Sequence, residues 1–400
     1  MPNSHSITIT NALIFDGRSA DLTSGSVEVV DGRITDVGEI TVRPDAQVID
    51  ARGKTVMPGL IDAHMHAFGT SLSALEIEAW PLSYVSLVGA SRLRLALKRG
   101  FTTVRDVAGG DIGLSNAIAQ GYVTAPRYLY TGAALSQTGG HGDARPGDYD
   151  ICLHGGHMSE VVDGVENLRR AVRERFRTGA HAIKVMASGG VVSLTDPIRI
   201  SQYSPEELQA VTDEATRRGS YVAAHAYPPD AIVHAVTNGV RTIEHGNLLD
   251  ANAAGIMAEC GAYLVPTLVA YDAMNRRGDE VNLVPISRAK NQEVLASGME
   301  AIRIARTAGV TIGFGSDLMG RLENDQLIGV RLQMEVEGTL EVLKSLTSVN
   351  AEILQRPDLG SIEAGATGDL LLLDGNPFDD PSVVWDESRP RTVIQGGMAI

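Results

Sequence analysis

The feature that most constrains this chain is a rhythm. Between residues 59 and 316, short apolar runs alternate with longer amphipathic stretches eight times. The runs fall near 59–66, 101–107, 127–135, 182–188, 221–227, 241–246, 262–268 and 310–316, and helical stretches such as 86–99, 158–178, 204–218 and 285–308 separate them. Strands that alternate with helices pair in parallel, because each crossover returns the chain to the same end of the sheet. Eight such units predict an α/β fold closed into a (β/α)8 TIM barrel rather than an open sheet. Ser204-Pro205-Glu206-Glu207 marks one helix start with a capping hydroxyl, a proline where no N–H is needed, and early acids.

The chain ends break the rhythm. Residues 7–10, 12–15, 26–30 and 33–37 read as short strands, with Asp16-Gly17 and Asp31-Gly32 as turn signals. Four short strands bury no core by themselves, so the strand-like stretches 369–374 and 391–395 are expected to complete them. The expected organisation is a composite β-sandwich domain from residues 1–58 and 356–400, with the barrel over 59–355.

A barrel places every strand's C-terminal end on one face, so the residues that close the strands decide what that face does. His64 and His66 close the first strand one residue apart, on the same side, where two imidazoles can share a metal ion. Lys184 lies in the fourth strand, His225 closes the fifth, His245 the sixth, and Asp317 follows the eighth. Alone, each histidine reads as a hydrogen-bonded structural residue and Asp317 as a helix cap. Their succession on one face reads as a metal site.

Lys184 is the sharpest of these signals. In Ala182-Ile183-Lys184-Val185-Met186 it is flanked by apolar residues on a strand expected to be buried, where its ammonium is costly and its pKa falls. It either pairs with a carboxylate, or its neutral amine takes up carbon dioxide. The resulting carbamate would offer two oxygens to two divalent ions. Two long connections, 136–157 and 188–203, follow the third and fourth strands, where barrel enzymes place binding groups.

Pro58-Gly-Leu-Ile-Asp-Ala-His-Met-His66, Lys184, His225, His245, Gly315-Ser-Asp317 and the tail from Gly360 to Pro377 together resemble the binuclear, carboxylated-lysine branch of the amidohydrolase superfamily, over nearly the whole chain. Gly139-Gly-His-Gly-Asp143, Lys184-Val-Met-Ala-Ser-Gly-Gly190 and His225-Ala-Tyr227 are similar to metal-dependent dipeptidases, prolidase-like carboxypeptidases and ochratoxin-type amide hydrolases. Gly368 departs from the alanine usual there. The resemblance implies His64, His66 and Asp317 on one ion, His225 and His245 on the other, carboxylated Lys184 between them, and zinc as the default metal. It implies attack on an amide carbonyl by hydroxide shared between the ions, Asp317 carrying the proton to the leaving amine, and His141 or Tyr227 meeting the oxyanion. A mononuclear deaminase of the same superfamily, which needs no lysine there, is the alternative, as is a cyclic-amide or carbamate hydrolase.

The expected substrate is a small amide or dipeptide-like molecule, with loops 68–85, 136–157 and 270–284 shaping its pocket and Arg145 or Arg199 as candidate grips for a carboxylate. His154 and His157 form a further histidine pair with no other partner. His5, His181 and His234 read as structural. A net charge of −15 without a Lys/Arg cluster excludes a nucleic-acid partner. Cys152 and Cys260 make no disulfide framework. No apolar run is long enough for a membrane span and no signal peptide is evident, so the expected setting is cytoplasmic. The resemblance implies a homo-oligomer.

Overall fold

Leu60–Met65, six buried residues without a glycine or proline, make the first strand of a barrel. It was traced in a computed structural model that describes residues 6–148 and 156–400. His5, Cys152 and His154 lie outside the described residues. Phe101–Asp106 pairs beside the first strand in parallel, and Arg127–Tyr130 beside that. Ile183–Met186, Val222–Ala226, Thr242–His245, Tyr263–Val265 and Thr311–Ile312 follow in order, each parallel to the last. The eighth strand closes on the first: Ala63 N–H donates to the Phe314 carbonyl (3.0 Å), and Asp317 N–H to that of His64 (2.8 Å).

Two expected elements are broken where the chain must turn. The third strand splits at Gly132, whose φ of +72° suits a residue without a Cβ. Its first half pairs with the second strand, and its second half, Ala134–Ser136, with the fourth. The helix expected over 158–178 begins only at Val165. Before it, Ser159–Val161 forms a short strand along Ala134–Ser136. The helix Pro205–Arg217 starts as expected: the Ser204 hydroxyl accepts from Glu207 N–H, and the Glu207 carboxylate from Ser204 N–H.

Both chain ends build one mixed sheet. Ser6–Ile14 is a single strand, bulged near Asn11, that pairs with Thr23–Val30, Gln47–Asp50 and Thr55–Pro58, so the two leaves expected of a sandwich are joined through it. Leu370–Leu373 and Arg391–Gln395 extend the sheet beyond Thr55–Pro58. Asp31 and Gly32, both at positive φ, make the tight turn of a hairpin. Gly368 is explained here: a Cβ would lie 2.3 Å from Val29 Cγ1. Among the described residues, no helix is long and apolar enough to cross a membrane.

Candidate metal centre

The strand ends deliver four imidazoles and a carboxylate to one place, and the loop after the third strand adds a fifth imidazole, His141. His64, His245, His225 and His141 follow one another as an arc of rings, with centroids 4.9, 4.6 and 4.2 Å apart, and His66 lies edge-on to His64 at 5.1 Å. Ligand atoms of His64, His245 and Asp317 lie within 4.8 Å of one another. His66 joins them: its Nε2 is 3.3 Å from His64 Nε2 and 2.9 Å from Asp317 Oδ1, which is 3.4 Å from His64 Nε2. Ligand atoms around a tetrahedral ion with bonds of about 2.0–2.1 Å stand about 3.3 Å apart. The residues present therefore fit a divalent cation.

The ring nitrogens are oriented for that task. In four histidines, one nitrogen is held by an oxygen. His64 Nδ1 meets Glu244 Oε2 at 2.7 Å, His66 Nδ1 the Ala108 carbonyl at 3.3 Å, His245 Nδ1 the Thr267 hydroxyl at 2.8 Å, and His225 Nε2 the Gly189 carbonyl at 3.1 Å. A nitrogen that donates to an oxygen leaves its partner as a lone pair, the form a metal takes. Burial holds His225 and His245 well below the ordinary histidine range, so both are neutral. For His66, burial opposes the charge but hydrogen bonds to Asp106 and Asp317 outweigh it, raising the imidazole to about 9.

Lys184 is buried in the same wall. Burial lowers its amine to about 8, against the pull of Glu244 and Asp317. Among the described residues no hydrogen bond or ion pair fixes its Nζ, so the pairing with a carboxylate weighed from the sequence is not made. The carboxylate nearest in chemistry is engaged elsewhere. Glu244, fully buried, accepts from Arg105 Nη2 (2.7 Å), Thr242 Oγ1 (2.6 Å) and His64.

This floor of Arg105 and Glu244 is what reading the sequence missed. Each is a charged residue inside a buried strand, the same signal that Lys184 gives. Beside the histidines, Tyr227 hydrogen-bonds through its hydroxyl to Tyr271 (2.9 Å), which receives the Thr267 hydroxyl (3.2 Å). His141 reaches the centre from the loop after the third strand, its Nδ1 2.9 Å from Ser193 Oγ. Burial lowers its affinity for a proton. The network of Ser193 and Asp196 behind it was also not anticipated.

Other candidates lie apart. Arg199 pairs with Glu293 on the surface, and Arg145 is held by Asp143 through two contacts of 2.7 Å. His157 is tied to Trp80 and Glu78, His181 to the Leu354 carbonyl, and His234 to that of Tyr203. Cys260 is free and exposed.

The centre forms the floor of a cavity of about 100 Å³ with largely apolar walls, among them Leu72, Ile77, Met186, Met274 and Met319. An outer cavity of about 840 Å³ shares Leu72, Ala74, His141 and Val192 with it and includes Arg145. All three loops expected to shape the pocket contribute, through Leu72, His141 and Tyr271 among others.

Comparison with known proteins adds the following. The model of the amidohydrolase family matches residues 55–400. Ochratoxinase of Aspergillus niger is 34% identical over 368 residues, covering 86% of this chain and 75% of that protein. A prolidase crystallised with N-methylphosphonate-L-proline superposes with a TM-score of 0.96 at 44% identity, covering 99% of each chain. A Xaa-Pro dipeptidase with methionine bound in its active site superposes with a TM-score of 0.87 at 30% identity, again over 99% of each.

Proposed function

The chain belongs to the amidohydrolase family and is a hydrolase acting on carbon–nitrogen bonds; on that premise we propose that it cleaves the amide bond of a dipeptide or N-acyl amino acid at a binuclear metal centre. The observation that carries this reading is the gathering of His64, His66, Lys184, His225, His245 and Asp317 on the floor of one cavity. His64, His66 and Asp317 would hold one divalent cation, most simply zinc, and His225 and His245 a second. Lys184, whose lowered pKa leaves a share of neutral amine at physiological pH, would lie between them as its carbamate. Such cations supply Lewis acidity toward the scissile carbonyl and lower the pKa of a water molecule.

The protein's own side chains supply the rest. Asp317 faces the cavity and can take the proton of the attacking water. Despite its burial, hydrogen bonds and charge from His64 and its neighbours hold its carboxyl well below the usual range. It therefore enters the reaction ionised, the form a general base needs to take a proton and later hand it to the leaving amine. The Tyr227 hydroxyl and the His141 ring are the neutral polar groups placed to meet the substrate beside the scissile bond. The apolar walls favour a substrate whose group next to that bond is uncharged and hydrophobic. The prolidase and ochratoxinase relatives support a small amide carrying an amino-acid half, including aryl amides of the ochratoxin kind.

The test is a panel of dipeptides, N-acyl amino acids and aryl amides offered to the zinc-loaded protein and scored by free amine. Turnover of apolar members is expected. Release of ammonia from an aminated heterocycle, with no amide cleaved, would replace this reading with the deaminase.

A further inference from the structure

One wall of the inner cavity is made by two connections rather than by barrel strands. Met158 and Ser159 line it from the stretch that precedes the helix Val165–Arg177. Ile77 lines it from the helix Ala74–Ala79, which follows the first strand. A single carboxylate joins the two connections. Glu78, next to Ile77, accepts from three consecutive backbone N–H groups: His157 at 2.5 Å on Oε2, and Met158 at 2.8 Å and Ser159 at 3.4 Å on Oε1. The His157 ring adds a fourth bond, its Nε2 donating to the Trp80 carbonyl at 3.2 Å.

Successive N–H groups that converge on one point form a nest, a concavity that attracts an anion. Gly156 permits the turn that builds it, since a Cβ there would stand 1.5 Å from the Ser159 carbonyl oxygen. The other side of Met158 is equally confined. A Cβ on Gly109 would stand 2.9 Å from its sulfur, and its carbonyl accepts from Ala134 N–H at 2.9 Å. Gly109 follows Ala108, whose carbonyl meets His66 Nδ1. The Met158 side chain thus lies between the support of a candidate metal ligand and the cavity. Methionine has three rotatable bonds and fills whatever gap its backbone allows. What holds that backbone therefore decides where this wall stands.

We propose that Glu78 is a positioning residue for substrate selection: seated in the nest, its carboxylate holds Met158 at the cavity wall and so sets the size of the apolar group accepted beside the scissile bond. The substrate group rests on the amide-hydrolase reading; the latch itself does not. Glu78 lies outside the cavity lining, with its oxygens occupied by the N–H groups, so it acts through Met158 and not on the reacting atoms.

The experiment offers the zinc-loaded full chain two series of apolar amides, one lengthened by single methylenes on the acyl half and one on the amine half. In Glu78→Ala, kcat/KM should fall for the member the parent prefers, through KM with kcat nearly unchanged, and the optimum should move to a longer member. The ratio between neighbouring members should change about tenfold, which one methylene of fit in a hydrophobic pocket is worth. Met158→Ala should give the same shift with Glu78 in place, and combining the two substitutions should not enlarge it. Glu78→Gln, which keeps one acceptor but turns an NH2 toward the nest, should lie between parent and Glu78→Ala. Acetate has the atoms that Glu78→Ala removes, so adding it should restore the parent preference in that variant and leave the parent's unchanged. Hydrogen exchange at the amides of His157, Met158 and Ser159 should quicken about tenfold in Glu78→Ala, the effect of losing bonds to a charged acceptor, and slow again with acetate. Parent-like exchange in Glu78→Ala, or an unchanged preference in both series despite faster exchange, would overturn the proposal. If the parent cleaves no amide, the functional reading fails, while the exchange rates and their reversal by acetate still decide the latch.

Discussion

Replacing Glu244 with glutamine tests whether the barrel floor sets up the metal centre or merely lies beneath it. Burial disfavours the Glu244 anion, yet Arg105 first and His64 next hold its carboxyl well below the usual range. Both Arg105 and Glu244 are fully buried, and their bond is 2.7 Å long. Glu244→Gln leaves the Arg105 guanidinium in the interior without a counter-charge. Breaking one side of a buried pair costs about 3–5 kcal/mol. Glutamine keeps an oxygen for Arg105 and Thr242, so the lower end, about 3 kcal/mol, is expected.

A second effect is specific to the site. With its oxygen on Arg105, the glutamine turns its NH2 toward His64 Nδ1. That nitrogen must then be a lone pair, and the proton moves to Nε2, which faces His66 and Asp317. A protonated Nε2 cannot bind a cation, so zinc affinity should fall about 10- to 100-fold. Denaturant unfolding of the metal-free protein reads the first effect and competitive zinc titration the second. Stability within about 0.5 kcal/mol of the parent, together with undiminished zinc affinity, would refute both halves.

Lys184→Ala should lose bound metal and turnover together, measured by elemental analysis and amine release; full occupancy with full activity would show that the lysine is no ligand. Exhaustive chelation should abolish activity and added zinc should restore it. Zinc binding should also release protons to an unbuffered solution near pH 8, because His66, held to about 9 in the metal-free protein, must give up its proton to ligate. His181 sits at the far end of the barrel with a pKa lowered to about 4, chiefly by burial. It titrates near 6.5 when unfolded, so the unfolded chain binds the extra proton between these values. Its contribution is thus complete above pH 6.5 and falls by about 3 kcal/mol by pH 4. His181→Gln should flatten that part of the stability–pH curve, measured by urea unfolding.

The legible part of the site was the part carried by strand ends. His64, His66, His225, His245 and Asp317 each close an apolar run, and a barrel sends all such ends to one face. Lys184 was legible because a lone charge among Ile183, Val185 and Met186 must either find a buried carboxylate or serve chemistry. Arg105 and Glu244 give the same signal, but threonines beside them soften the apolar run. Their bond spans 139 residues, a distance that no local pattern encodes. Ser193 and Asp196 lie in a glycine-rich loop, where serines and aspartates ordinarily turn the backbone. Only the fold brings them against His141. The eighth strand was expected over 310–316, yet only Thr311–Ile312 has ladder geometry. Beyond it, Ser316 and Asp317 both donate to the one carbonyl of His64.

That irregularity explains why a ligand was found and its support was missed. On an extended strand, neighbouring side chains point to opposite faces, so Glu244 and His245 should not both reach the centre. They do because His245 adopts a φ of +75°, and Asp317, next to Ser316, does the same at +51°. A left-handed residue other than glycine costs on the order of 1–3 kcal/mol, and it persists only where the surroundings impose it. At His245 the following N–H, of Gly246, is bonded to the carbonyls of Ala226 (3.0 Å) and Glu244 (3.1 Å). At Asp317 its own N–H is bonded to His64 (2.8 Å). The turned residue swings its side chain over the strand end, while the residue before it keeps its place inside the barrel. Consecutive residues thus supply both layers of the centre: His245 on the metal side with Glu244 beneath, and Asp317 on the metal side with Ser316 bonded to Asp62 beneath. A period-two reading assigns one of each pair to the core and stops there, because the second orientation depends on hydrogen bonds from other strands.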